Sequence, residues 1–152
     1  MDQDAFRRTY REVNERICVY EKSLLSRKCN CSMAKKLCIA EREGVHCTSD
    51  EAQAQCHEFL EQLRQRARFA LKSNDDRAVL PHGQAMRLQI GGLRGLYVAL
   101  HQDASIPEDI DDVYGLISEA KTTFEGLDEL PYQKLIQQVA AYKGRQRSRR
   151  KT

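Results

Sequence analysis

The chain has no tryptophan, only three prolines, and no cysteine from residue 57 to residue 152. It has no apolar run near the roughly 20 residues that span a bilayer, so no membrane segment is expected. The opening Met1-Asp2-Gln3-Asp4 lacks both a basic n-region and an apolar h-region, which argues against a secretory leader and for a cytoplasmic protein. Gly91-Gly92-Leu93-Arg94-Gly95 lacks the G-K-[ST] that grips nucleotide phosphates. No serine, histidine and carboxylate grouping stands out, so an enzyme ranks last among the readings. The acidic stretch Glu108, Asp109, Asp111, Asp112 has neither the spacing nor the glycine of a calcium loop. Those carboxylates are expected to complement the positive end of a helix opening at Pro107.

What is present is a chain of 152 residues, 41% hydrophobic and 31% charged. That size suffices to bury roughly 68–70% of the unfolded surface, so disulfides are not needed for stability. Apolar residues recur at three- and four-residue steps almost throughout. Phe6, Tyr10, Val13, Ile17, Tyr20 and Leu24 form a first stripe, with Asn14 as an alternative cap for a second, shorter helix. A helix is expected over about Ser32 to Glu43, stopped by Gly44. The next starts at Thr48 and Glu51, a capping box with Ser49 as the alternative cap. The stretch from Ala85 to Leu100 reads partly as strand and partly as helix; if helical, Gly91 and Gly95 are spaced to admit a neighbouring backbone. Helices from Pro107 and Pro131 complete the pattern. The expected fold is all-α, a single-domain bundle of five or six helices over residues 1–142, with its cysteine-rich part at 14–57.

All six cysteines lie between Cys18 and Cys56, and no two form a C-x-x-C. Cytosolic thiols stay reduced, so sulfur crowded into one third of a helix-forming chain points to thiolates gathered on a soft metal. Cys29 and Cys31 form a C-x-C in a polar turn, where both can point to one centre. Arg27 and Lys28 beside them would favour thiolates. Cys47 precedes a helix N-terminus, and Cys18 and Cys56 fall on or beside apolar stripes. Cys38, inside Leu37-Cys38-Ile39-Ala40, reads as core filling more than as a ligand. His46 and His57 read as surface residues or supporting donors.

The candidate ligands are therefore Cys18, Cys29, Cys31, Cys47 and Cys56, four of which suffice for one iron–sulfur cluster. An iron–sulfur protein for electron transfer or redox sensing, with a redox partner protein, ranks first. A structural zinc protein comes second, held back by the missing paired knuckles. A metal-free interaction module with packed cysteines is third.

Charge is unevenly placed. Lys143, Arg145, Arg147, Arg149, Arg150 and Lys151 bring six cations and no anion after Tyr142; removing them from 25 leaves 19 basic against 22 acidic residues. Residues 143–152 are expected to form a disordered basic tail, either solvated or binding nucleic acid or an acidic partner.

The frame Cys18-Val19-Tyr20-Glu21-Lys22, Cys29-Asn30-Cys31 and Ile39-Ala40-Glu41-Arg42-Glu43, with Leu80-Pro81-His82 and Gly91-Gly92-Leu93 downstream, resembles a group of short, cysteine-rich bacterial proteins without an established activity. The resemblance implies a bacterial cytosolic protein whose recurring cysteines match Cys18, Cys29, Cys31, Cys47 and Cys56. It does not imply one at Cys38.

Overall fold

The computed structural model describes residues 3–72 and 79–143. Helix α1 spans Gln3–Val13 and stops although the apolar stripe continues. The cause is Asn14, whose side chain turns inward and is 1% exposed. Its amide donates to the Val45 carbonyl and to the Tyr10 hydroxyl, each at 2.9 Å. The chain then runs as a short bridge from Ile17 to His46 before α2, Glu21–Leu25. Neither one long helix nor a helix from Glu15 forms.

The all-α expectation is overturned by an antiparallel hairpin of β1, Ala34–Ile39, and β2, Arg42–Cys47. It stands where a helix over about Ser32 to Glu43 was expected, so the fold is helix-rich but mixed. Its two-residue turn is Ala40-Glu41, with φ of 49° and 69°. That left-handed pair matches the twist of the strands, but neither residue is the glycine or asparagine that announces such a turn. Gly44 is no helix stop. It lies within β2, where a Cβ would run into the Tyr10 ring, so its bareness lets α1 rest on the strand.

Helix α3, Asp50–Arg66, is capped by Ser49, whose Oγ accepts from Ala52 N at 3.2 Å. A short turn, α4, Arg68–Leu71, follows. The ambiguous stretch is helical: α5, His82–Met86, a π-helical turn Arg87–Gly91, and α6, Gly92–Leu100, succeed one another without a break. Helix α7 spans Val113–Thr123 and begins well after Pro107, and α8 spans Tyr132–Ala141. A Cβ at Gly91 would stand 2.6 Å from Val139 Cα, and one at Gly95 2.6 Å from Leu135 Cα. These two glycines therefore let α8 lie directly on the π turn and α6.

Phe59, Leu63, Leu93, Leu96, Ile117, Leu135 and Val139 are fully buried where α3, α6, α7 and α8 meet. That core is continuous with Tyr20, Leu24, Cys29 and Val45 of the N-terminal part. Among the described residues no helix is long and apolar enough to cross a membrane. Of the predicted tail only Lys143 is described; Arg145, Arg147, Arg149, Arg150 and Lys151 lie outside the described residues.

Candidate metal centre

Four elements converge on one region: the bridge strand, the loop after α2, the end of β2 and α3. The bridge strand holds Cys18, whose N–H donates to the Val45 carbonyl at 2.9 Å, while Cys47 N–H donates back to Arg16 at 2.8 Å. This doubles the hairpin edge and brings the two cysteines side by side. Cys56 comes up from α3, one face of which is otherwise Ala52, Phe59 and Leu63. Cys31 is carried by the loop after α2. That loop is fastened to the segment before α7: Asn30 N–H donates to Ile110 at 2.8 Å, and Val113 N–H donates to Asn30 at 2.9 Å. Asp112 accepts from Ser32 N–H at 2.9 Å and from Ser32 Oγ at 3.0 Å. Asp112 thus positions the cysteine loop, whereas the helix that the acidic stretch was expected to complement at Pro107 starts only at Val113, with no acidic residue in its first turn.

Cys18, Cys31, Cys47 and Cys56 line one enclosed void, walled also by Val19, Tyr20, Ala34, Ala52 and Val113. Cys29 is 1% exposed and packs in the core beside Cys18 and Cys31 without lining the void. Cys38 is exposed on β1. Its expected core-filling role depended on a helix there and is corrected with it. His46 Nδ1 pairs with Asn14 Oδ1 at 2.9 Å, and His57 lies near Glu61 on the surface of α3. Neither histidine reaches the void.

Burial pushes the Cys18, Cys29 and Cys56 thiols up to about 12 and raises Cys31, and the neighbouring sulfurs push in the same direction. Metal-free, these groups are neutral thiols at pH 7. Against burial, backbone N–H groups are aimed at two sulfurs: that of Tyr20 at Cys18, and those of Met33 and Tyr114 at Cys31. Such donors favour the thiolate. Tyr114 is in the first turn of α7, so that helix adds the positive end of its dipole. The Cys47 thiol donates to the Ser49 carbonyl at 3.2 Å.

Tyr20 is the residue that sequence reasoning missed. It is 1% exposed, lines the void, and its hydroxyl is buried with no hydrogen-bond partner. Burial first, then Cys56, Cys29, Cys18 and Cys31, raise its pKa well above 10.0. An orphaned buried donor costs about 1–3 kcal/mol, and an anionic sulfur in the void would accept from it. The available signal is local: Tyr20 and Met33 each follow a void-lining cysteine by two residues, where a backbone N–H can turn back onto the sulfur.

The donor set fits a soft metal, being four sulfurs in an apolar enclosure with N–H and O–H donors around them. Among the described residues, no group of three or more His, Cys, Asp or Glu side chains is poised to hold a metal ion as it stands. The void gives about 10 Å³ open to the centre of a water molecule. That is room for about one water molecule, so the four sulfurs are not closed on a common point. No family model, no curated protein and no solved structure matches this chain.

Proposed function

We propose that the protein carries an iron–sulfur cluster on Cys18, Cys31, Cys47 and Cys56 and works in electron transfer or redox sensing. The observation that carries this reading is the convergence of four thiols from four separate elements on one buried void. When bound, the cluster supplies a one-electron couple. The chain's own residues surrender four thiol protons, so binding weakens as pH falls. The Tyr20, Met33 and Tyr114 N–H groups and the Tyr20 hydroxyl offset the negative charge of the ligated sulfurs, which raises the reduction potential. Val19, Ala52 and Val113 exclude water. Cys29, next to two ligands, is a spare thiol, and Cys38 takes no part.

Val19 also lines a shallow surface groove with Leu60 and Leu80, which makes it the thin wall between the centre and a redox partner. Protein purified without oxygen is expected to be brown, with iron and acid-labile sulfide in equal amounts. Cys47→Ser or Cys56→Ser should bleach it, while Cys38→Ala keeps the colour. A colourless protein with one zinc would establish the single-ion alternative, and a metal-free one would leave packed thiols.

A further inference from the structure

A second concavity lies away from the cysteines, between the loop after α2, the start of α5 and the end of α8. It is an open groove of about 1080 Å³. Lys28, His82, Arg87 and Lys143 stand around it, and among the described residues no carboxylate lines it. Its remaining surface is largely apolar, from Pro81, Met86, Ala140 and Tyr142. Lys28 and Lys143 are exposed and, among the described residues, paired with no carboxylate. Arg87 is held in place by donating from Nη2 to the Ala140 carbonyl at 2.8 Å, and its Nε is buried without a partner. The guanidinium charge is therefore fixed at the groove and uncompensated.

Among the described residues, cations from three separate elements face one groove that no carboxylate lines, which favours an anionic ligand. We propose that the groove binds the phosphodiester backbone of a nucleic-acid strand, without sequence selectivity. The apolar floor favours this over an acidic peptide, because a strand carries flat apolar bases and sugars in series with its charges. At about 1080 Å³ the groove stands at the upper end of the range for small-ligand pockets. In the sequence, Arg145, Arg147, Arg149, Arg150 and Lys151 follow directly after Lys143, a run of charge that suits a polyanion. The exposed ring at the groove is His82, Tyr142 being buried, so binding rests chiefly on charge, and contacts to phosphates carry no sequence information.

The test is fluorescence anisotropy of the protein as purified with labelled single- and double-stranded oligonucleotides of about 20 nucleotides, over a range of salt. Lys28→Gln with Lys143→Gln removes two exposed cations without touching the core. Each lost single-strand contact weakens binding about fivefold at about 0.1 M salt, so the pair should weaken it about 25-fold and flatten the salt slope by about 1.4. A Lys35→Gln/Lys36→Gln variant, on the exposed edge of β1, should bind as the unaltered chain does. A chain ending at Lys143 should retain binding that remains sensitive to the Lys28 and Lys143 changes. The proposal is overturned if those changes leave affinity unaltered while truncation abolishes it, if polyglutamate competes as well as the oligonucleotide, or if a mononucleotide binds as tightly. None of these outcomes depends on which metal the protein holds.

Discussion

The two halves of the molecule are held together by different means. Residues 82–141 consist of rods packed backbone to backbone, with Gly91 and Gly95 under α8 and a dry seam of Leu93, Leu96, Leu135 and Val139. Residues 14–56 contain one short helix, a bridge strand, the hairpin with its left-handed turn, the start of α3 and a polar network, arranged around a void. The helical half stands mainly on close side-chain and backbone packing. The second places an orphaned tyrosine hydroxyl and four cysteines at its centre, the arrangement that the proposed cluster would complete.

The sharpest test of that difference is metal removal. On the iron–sulfur reading, stripping the centre with a chelator and reductant should cost on the order of 5 kcal/mol or more in stability. The loss should be confined to the N-terminal half. Hydrogen exchange should rise at Cys18 and Cys47, whose amides join the bridge strand to β2, and stay slow in α6 and α8. Uniform loss of protection in both halves would show that the core they share couples them into one unit.

The converse perturbation is Gly95→Ala. The new Cβ meets Leu135 Cα at 2.6 Å, backbone that cannot rotate away, so α6 and α8 must separate. A cost of about 2–3 kcal/mol is expected from overpacking. Urea denaturation should record it as a lower midpoint, with the visible absorbance of the folded protein unchanged. A bleached Gly95→Ala protein would mean that the helical half sets the geometry of the sulfur site.

This contrast also explains what could be read from the sequence. The helical half was legible in part: burial there follows a 3.6-residue period and the glycine pair pointed to a close contact if the stretch was helical, but 85–100 read partly as strand, and the helix expected from Pro107 starts only at Val113. The hairpin was not. Lys35, Lys36 and Glu43 look like the polar face of a helix, and Ala40-Glu41 conceals its turn, since both residues favour helices when context allows. Misplacing the hairpin misplaced Cys38. The ligand candidates depended less on local structure: Cys18, Cys31, Cys47 and Cys56 came from sulfur count and compartment, and the fold brings those four to one void. What separates Cys29 from them is a loop pinned by Ile110 and Asp112 from far along the chain, which spacing alone does not reveal.

A smaller effect is expected at the polar network behind the centre. Asn14 links Tyr10, Val45 and His46, and Glu21 accepts from the Tyr10 hydroxyl and from Val45 N–H, the latter at 2.9 Å. Burial and the bond to Glu21 push the Tyr10 pKa up to about 12, so the hydroxyl stays a donor across the usable pH range. Asn14→Ala leaves the Val45 carbonyl without its side-chain donor in the interior and should cost about 1–3 kcal/mol. Tyr10→Phe should cost about 1 kcal/mol, read from the same denaturation curves. If both are silent, α1 is dispensable to the site and the network only decorates it.

The smallest change should run in the opposite direction. Ala40 and Glu41 both sit at positive φ, where a side-chain-bearing residue loses roughly 1–2 kcal/mol relative to its preferred conformation. Asparagine and glycine accept that geometry readily, and Asn-Gly is the preferred pair for a two-residue turn of this hand. Ala40→Asn combined with Glu41→Gly should therefore stabilise the hairpin. Part of the gain is cancelled because glycine also loosens the unfolded chain, so about 1 kcal/mol net is the expected size. For a chain of this length that corresponds to a melting point higher by about 3–4 °C. The benefit should be greatest in metal-free protein, where the hairpin has only its ladder from Ala34↔Cys47 to Ile39↔Arg42 and its packing against α1 and α2 to hold Cys47 in place. With the centre filled, Cys47 is already anchored at the far end of β2, and the same pair of substitutions should raise the melting point less. An equal gain with and without metal would show that the hairpin and the sulfur site fold independently.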